Sequence, residues 1–185
     1  IHQVSNQGKH LIKEDKEVRG MHTVFLFGSR DVYNIPPEIV NHLEEIIKQT
    51  NGEVRFIVGD ANGVDAAFHK TLSSIGARSK TEIYCMDSPR NNKWELPLRV
   101  FKSFYDPDKH EVRLTGEGIP DTVIENVNKP EDVTHNRSYY EFKDKMMREA
   151  CTFAICLWDK KSRGTFTNIN VLKAQGKYVY VYTLQ

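Results

Sequence analysis

What this 185-residue chain lacks narrows its function first. No apolar run approaches the ~20 residues that span a bilayer, and the hydrophilic start has no signal-peptide core. The expectation is a soluble, cytoplasmic protein with no membrane partner. Neither sign of charge dominates: 26 lysines and arginines face 25 aspartates and glutamates, a net charge of +1. No global field draws a polyanion to the molecule as a whole, so nucleic acid is not an expected partner and any anion recognition must be local. Cysteine is sparse, and Cys85, Cys151 and Cys156 stand in apolar runs without a CxxC pair or histidines at zinc spacing. Buried reduced thiols are expected rather than metal or redox chemistry. The Gly-x4-Gly-Lys-Ser/Thr spacing of a P-loop and the Gly-x-Gly-x-x-Gly of a standard dinucleotide site are both missing, which argues against an ATPase. Internal repeats and low-complexity segments are absent as well. No cofactor or metal is expected.

What is present fits one domain with an insertion. The chain starts with isoleucine and its first methionine is Met21, so residues 1–20 are expected to be an extension or remnant outside the domain, which then covers 21–185. From Met21 on, strand-length apolar runs alternate with amphipathic stretches of helical spacing. Strands are expected at 24–27, 54–58, 81–86, 153–158 and 178–182. Between them, Ile39, Leu43 and Ile46, then Val64, Phe68 and Leu72, recur at helical period; a helix over 139–149 and another after Gly164 complete the pattern. Residues 87–136 break it: five of the seven prolines fall there, so a long insertion is expected after the third strand, with a hairpin near 111–114. Strands alternating with crossover helices pair in parallel. The predicted fold class is therefore α/β, a doubly wound, Rossmann-like parallel sheet of about five strands with helices on both faces.

In such a sheet ligands bind outside the carboxyl ends of the strands, and three loops there have unusual composition. Gly28-Ser29-Arg30 offers close backbone approach, a hydroxyl and a guanidinium able to grip phosphate or carboxylate. Gly59-Asp60-Ala61-Asn62-Gly63-Val64-Asp65 has glycines that permit unusual backbone geometry before a helix start. Asp60 and Asp65 there either cap the helix and complement its dipole, or serve as a ligand-binding carboxylate or general base. His69, four residues beyond Asp65, fits an exposed ion pair with it. Lys161-Ser162-Arg163-Gly164-Thr165 carries positive charge and hydroxyls at the start of the last helix, a place for a phosphate. Arg90-Asn91-Asn92-Lys93-Trp94, after the third strand, reads equally as a cover for a nucleobase or phosphate and as a solvated basic loop. Asp144, Lys145 and Arg148 read as a solvated helix face.

The order of these motifs, with Lys145-Met146-Met147-Arg148-Glu149-Ala150-Cys151 before the strand ending in Trp158-Asp159, resembles the SLOG superfamily. That group includes the Smf/DprA DNA-processing proteins and the Lonely guy phosphoribohydrolases; the likeness is to its small bacterial and phage branch with Gly-Ser-Arg and Ser-Arg-Gly-Thr motifs. It covers residues 21–86 and 137–185. The resemblance implies a nucleotide or nucleotide-derived ligand with its phosphate near Gly164 and Thr165. It also invites comparison with hydrolysis of a nucleotide's N-glycosidic bond. The phosphoribohydrolase pattern Pro-Gly-Gly-x-Gly-Thr-x-x-Glu ends in a catalytic glutamate, whereas this chain has Asn168 there, and a neutral amide cannot act as a carboxylate base. Asp60 or Asp65 must then take that role in a hydrolase or transferase acting at the ligand's N-glycosidic or phosphate bond. Gly28, Ser29, Arg30, Gly59, Asn62, Gly63, Ser162, Arg163, Gly164 and Thr165 are the expected ligand-binding residues. The competing expectation is a sensor that binds a nucleotide without turnover and signals to a partner or to the second subunit of a homodimer. Residues 87–136 hold ten acidic and seven basic residues, a further argument against DNA.

Overall fold

The sheet forms where apolar runs are long enough to be buried on both faces. In the computed structural model, which describes residues 21–184, the elements follow in the order β1 (His22–Gly28), α1 (Pro37–Gln49), β2 (Val54–Val58), α2 (Val64–Ser74), β3 (Thr81–Met86), β4 (Leu98–Asp106), β5 (Glu111–Thr115), β6 (Thr122–Ile124), α3 (Arg137–Ala150), β7 (Phe153–Trp158), α4 (Arg163–Ala174) and β8 (Tyr178–Thr183). Two 3-10 turns, Arg78–Lys80 and Pro130–His135, precede β3 and α3. The expected N-terminal extension, 1–20, lies outside the described residues.

Side-chain alternation along the strands divides the core in two. Val24 and Leu26 of β1 point to one face of the sheet, where Ile39, Leu43 and Ile46 of α1 and Val64, Phe68 and Leu72 of α2 cover them. Phe25 and Phe27 point to the other, under Tyr139, Phe142 and Met146 of α3 and Ile169 and Leu172 of α4. Helices therefore flank the sheet on both faces. Asn136 starts α3 by accepting the Ser138 N–H at 2.9 Å, a side-chain cap that satisfies one of the first-turn donors.

Among the described residues the sheet has eight strands, in the order β6-β5-β4-β3-β2-β1-β7-β8. The five expected strands form, and the expected count of about five is corrected by three more from the insertion. β4 pairs in parallel with β3, and β5 and β6 follow antiparallel. The insertion is thus an extension of the sheet, with the expected hairpin between β4 and β5. Its inward side chains Phe101, Val112, Leu114 and Ile124 join the α3 side of the core. From β1 the chain first proceeds to β2 and β3 on one side, then crosses to β7 and β8 on the other. The order reverses between β1 and β7, so loops diverge there and leave a crevice at the carboxyl ends of these strands.

Among the described residues no helix is long and apolar enough to cross a membrane. The three cysteines are buried and free.

Candidate functional site

At the crevice between β1 and β7 lies a pocket of about 100 Å³, open to solvent. Phe25, Phe27 and Met147 give it apolar walls, and polar groups come from the loops after β1 and β3, from α2 and α3, and from α4 with its N-cap. Of the residues singled out from sequence, Gly28, Arg30, Gly59, Asp65, Ser162, Gly164 and Thr165 line it. Ser29, Asp60, Asn62, Gly63 and Arg163 do not. Arg90, Tyr140, Lys143, Asp144 and Asn168 complete the polar lining.

Several of the non-lining residues hold the loops in place. Ser29 is buried, and its hydroxyl accepts the Asp159 N–H at 2.9 Å while its carbonyl accepts the Val64 N–H at 3.2 Å. One serine therefore joins the loops after β1 and β7 to the start of α2. Gly63 has φ +84°, and a Cβ there would stand 2.1 Å from the Arg30 carbonyl oxygen; only glycine lets these two loops touch. The side-chain oxygen of Asn62 accepts from Asn91 at 3.0 Å. Arg163, first residue of α4, is exposed.

Asp60 is 2% exposed, and both its oxygens are occupied. Oδ2 accepts the backbone N–H of Arg90 at 2.8 Å, and Oδ1 accepts from Arg90 Nη2 at 2.8 Å and Nε at 3.2 Å. The Arg90 guanidinium also lies over the Tyr140 ring, 4.0 Å from its centre. The basic loop after β3 is therefore anchored at its arginine.

Asp65 is one of the pocket's two carboxylates, the other being Asp144. Asp65 is the second residue of α2, and Gly63 rather than an aspartate occupies the N-cap. Its Oδ2 accepts the Ala61 N–H at 3.1 Å. A Cβ on Gly59 would stand 2.6 Å from Asp65 Oδ2 and 3.2 Å from Lys143 Nζ, so carboxylate and ammonium converge over the bare backbone of this glycine. Burial pushes the Asp65 pKa up to about 6, against the pull of Lys143 and of the Ala61 N–H, with Asp144 and Asp60 adding to the rise. Burial works against the Lys143 charge, yet Asp144, Asp65 and Asp60 together hold its pKa above the ordinary amine value. Its Nζ donates to Asp144 Oδ1 at 3.0 Å. The result is a carboxyl group that titrates close to neutrality beside a permanent cation, the condition for accepting or returning a proton.

His69 departs from its expected role. It is 1% exposed, and its Nε2 donates to the Gly59 carbonyl at 2.8 Å. Burial lowers its pKa, so it stays neutral and braces the β2 loop.

The first turn of α4 supplies the remaining polar wall. The N–H groups of Arg163, Gly164 and Thr165 have no carbonyl four residues back to bond, as at every helix start, and carry the positive end of the helix dipole. Thr165 is buried and its hydroxyl donates to Ser162 Oγ at 3.1 Å. A Cβ on Gly164 would meet nothing within 4 Å, so the space before this turn is open.

The solvated face expected at Asp144, Lys145 and Arg148 is corrected at two positions. Asp144 lines the pocket, and Arg148 is 4% exposed. Arg148 donates to Asn168 Oδ1 and Glu141 Oε1, each at 2.6 Å, so the Asn168 amide, midway along α4, is a structural acceptor. Lys143 and Tyr140 escaped the sequence reading altogether. The available signal was the helical stripe 139, 142, 143, 146, 147, in which Lys143 occupies a buried position. Among the described residues no group of three or more histidines, cysteines and acids could hold a metal ion.

No protein-family model matches the chain, and neither the curated proteins nor the solved structures contain a significant match.

Proposed function

We propose that this chain is a Rossmann-like protein of the SLOG type that binds a nucleotide or nucleotide-derived ligand in this pocket and hydrolyses its N-glycosidic bond. The observation that carries the reading is Asp65, a carboxyl group with a pKa near 6 in a pocket whose rim has Arg30 and the first turn of α4. The parallel strand order 3-2-1-7-8 and the switch beside β1 support the Rossmann-like assignment.

A phosphate on the N–H groups of residues 163–165 would fix the ligand at one end. The pocket's volume is below the ~300 Å³ typical of sites that enclose a whole small molecule, so the remainder of the nucleotide would lie across the open mouth. Asp65, ionised above its pKa, would take the proton of a water whose oxygen bonds to C1′ as the C1′–N bond breaks. The bond's electrons leave on the base nitrogen, which is protonated by solvent. The Ala61 N–H would keep the carboxylate oriented, and the nearby Lys143 charge would stabilise its ionised form. A small molecule is then the partner, within the cytoplasm.

The test is incubation with a panel of nucleoside 5′-monophosphates, reading melting temperature and released base together. A nucleotide at ~100 times its dissociation constant should stabilise the fold by about 2.7 kcal/mol, with free base appearing over time. Absence of any shift across the panel overturns the reading. A second reading, a sensor without turnover, is favoured by one observation: α4 brings the amide of Asn168, held by Arg148, in place of a second carboxylate. A shift without product identifies that outcome.

A further inference from the structure

Asn168 lines the pocket and is 7% exposed, yet no step of the reaction just described uses it. One end of its amide is committed: Arg148 Nη1 reaches it at 2.6 Å. The two ends of an asparagine amide have the same shape, so the partner decides which is which. A guanidinium has only donors, and the atom facing it must be the amide's one acceptor, Oδ1. Arg148 is itself held, because it is buried and its Nη2 donates to Glu141 Oε1 at 2.6 Å. Turning the amide over would set its NH2 group against a buried guanidinium and leave both donors unpaired.

The other end is open. Nδ2 donates to no acceptor among the described residues, and it is not sealed from solvent as a buried orphan. In a side chain this buried, which meets open space where it lines the pocket, the accessible end faces the pocket. The site therefore holds a donor of fixed orientation with no lone pair to offer beside it. A free asparagine reads either kind of base edge, accepting from an amino group through its oxygen or donating to an oxo group through its nitrogen. Here Arg148 has closed the first mode. The apolar walls Phe25, Phe27 and Met147 suit the flat faces of a base ring entering edge-first.

We infer that the pocket selects a nucleotide whose base carries an oxo rather than an amino group at C6 of a purine or C4 of a pyrimidine. Asn168 Nδ2 is the donor to that oxygen, and Arg148 is the positioning residue that keeps it a donor. This rests on the nucleotide reading above and names its ligand more narrowly.

The test is titration calorimetry on the full chain with inosine against adenosine 5′-monophosphate, and with uridine against cytidine 5′-monophosphate. In each pair that binds, the wild type should hold the oxo member at least about tenfold more tightly, the factor expected when one partner makes the hydrogen bond and the other sets donor against donor. Asn168→Asp keeps the shape and the contact with Arg148 but turns an acceptor into the pocket, so the order within the pair should reverse. Arg148→Met frees the amide to present either end, and the two affinities should come within about threefold of each other. The Glu141 carboxylate left behind is 41% exposed and stays solvated. Loss of general stability would weaken both members alike and leave their ratio unchanged. Equal wild-type affinities, a wild-type preference for the amino member, or an oxo preference that survives Asn168→Asp overturns the inference, while binding of any of the four leaves the nucleotide reading standing. Binding of none overturns both.

Discussion

Asp65 combines two properties that oppose each other with pH. Its folded pKa of about 6 lies above the ordinary 3.8, so between these values the folded state holds more proton than the unfolded chain. Stability contributed by the protonated form is complete below about pH 4 and is lost as pH rises through about 6. The shift corresponds to about 3 kcal/mol at most. The same ionisation generates the base, so turnover should rise across the interval in which stability falls. In Asp65→Asn, denaturant titrations from pH 4 to 7 should show this decline flattened, and base release should be absent while nucleotide binding persists. A decline of equal slope in the variant would assign it to other groups. The residue was legible in sequence because a carboxylate after a glycine-flanked strand end stands where ligands bind. Its partner was not: Lys143 falls on the apolar stripe of α3, and lysine is rarely buried unless paired. Asp60 and Arg90 were each visible in their loops, but 30 residues separate them, and only the pairing of β2 with β3 brings their loops together.

At the scale of elements, glycine decides how closely the loops approach. Gly63→Ala should cost at least about 3 kcal/mol, from a backbone region closed to alanine and a clash with the Arg30 carbonyl; thermal unfolding checks this, and an unchanged melting temperature would deny that the two loops are in contact. Gly164→Ala should act oppositely, gaining up to about 1 kcal/mol of helix stability because nothing in the protein meets the added methyl. Helices and central strands were legible because their periodicities are clean and their ends carry proline or glycine. The strands of the insertion were harder to read. β4 alternates Arg99, Phe101 and Ser103 with Val100, Lys102 and Phe104, so neither face is uniformly apolar, and its proline-rich surroundings resemble a loop.

For the molecule as a whole, the near balance of charge excludes a global field but leaves the pocket free to gather Arg30, Arg90 and Lys143 around two acids, Asp65 and Asp144. The sheet's strand order sets that pocket, and no local signal shows the order directly; it follows from the rule that parallel crossovers need helices and from the side of β1 on which β7 lands. Within the insertion only the hairpin was announced by its turns; the parallel pairing of β4 with β3, which joins β4–β6 to the sheet, has no local signal. The buried thiols offer a check on the entire fold. Burial pushes Cys85 and Cys151 up to about 11 and Cys156 further, so a thiol reagent at pH 8 should modify none of them before unfolding, and rapid native-state reaction at any one would contradict the packing. The central claim concerns the open space before α4, and the most direct measurement is calorimetric titration of the best nucleotide from the panel into wild type and Gly164→Val. With the fold intact by circular dichroism, the account predicts at least about a hundredfold loss of affinity, equivalent to about 2.7 kcal/mol; equal affinity in the two proteins would place the ligand elsewhere.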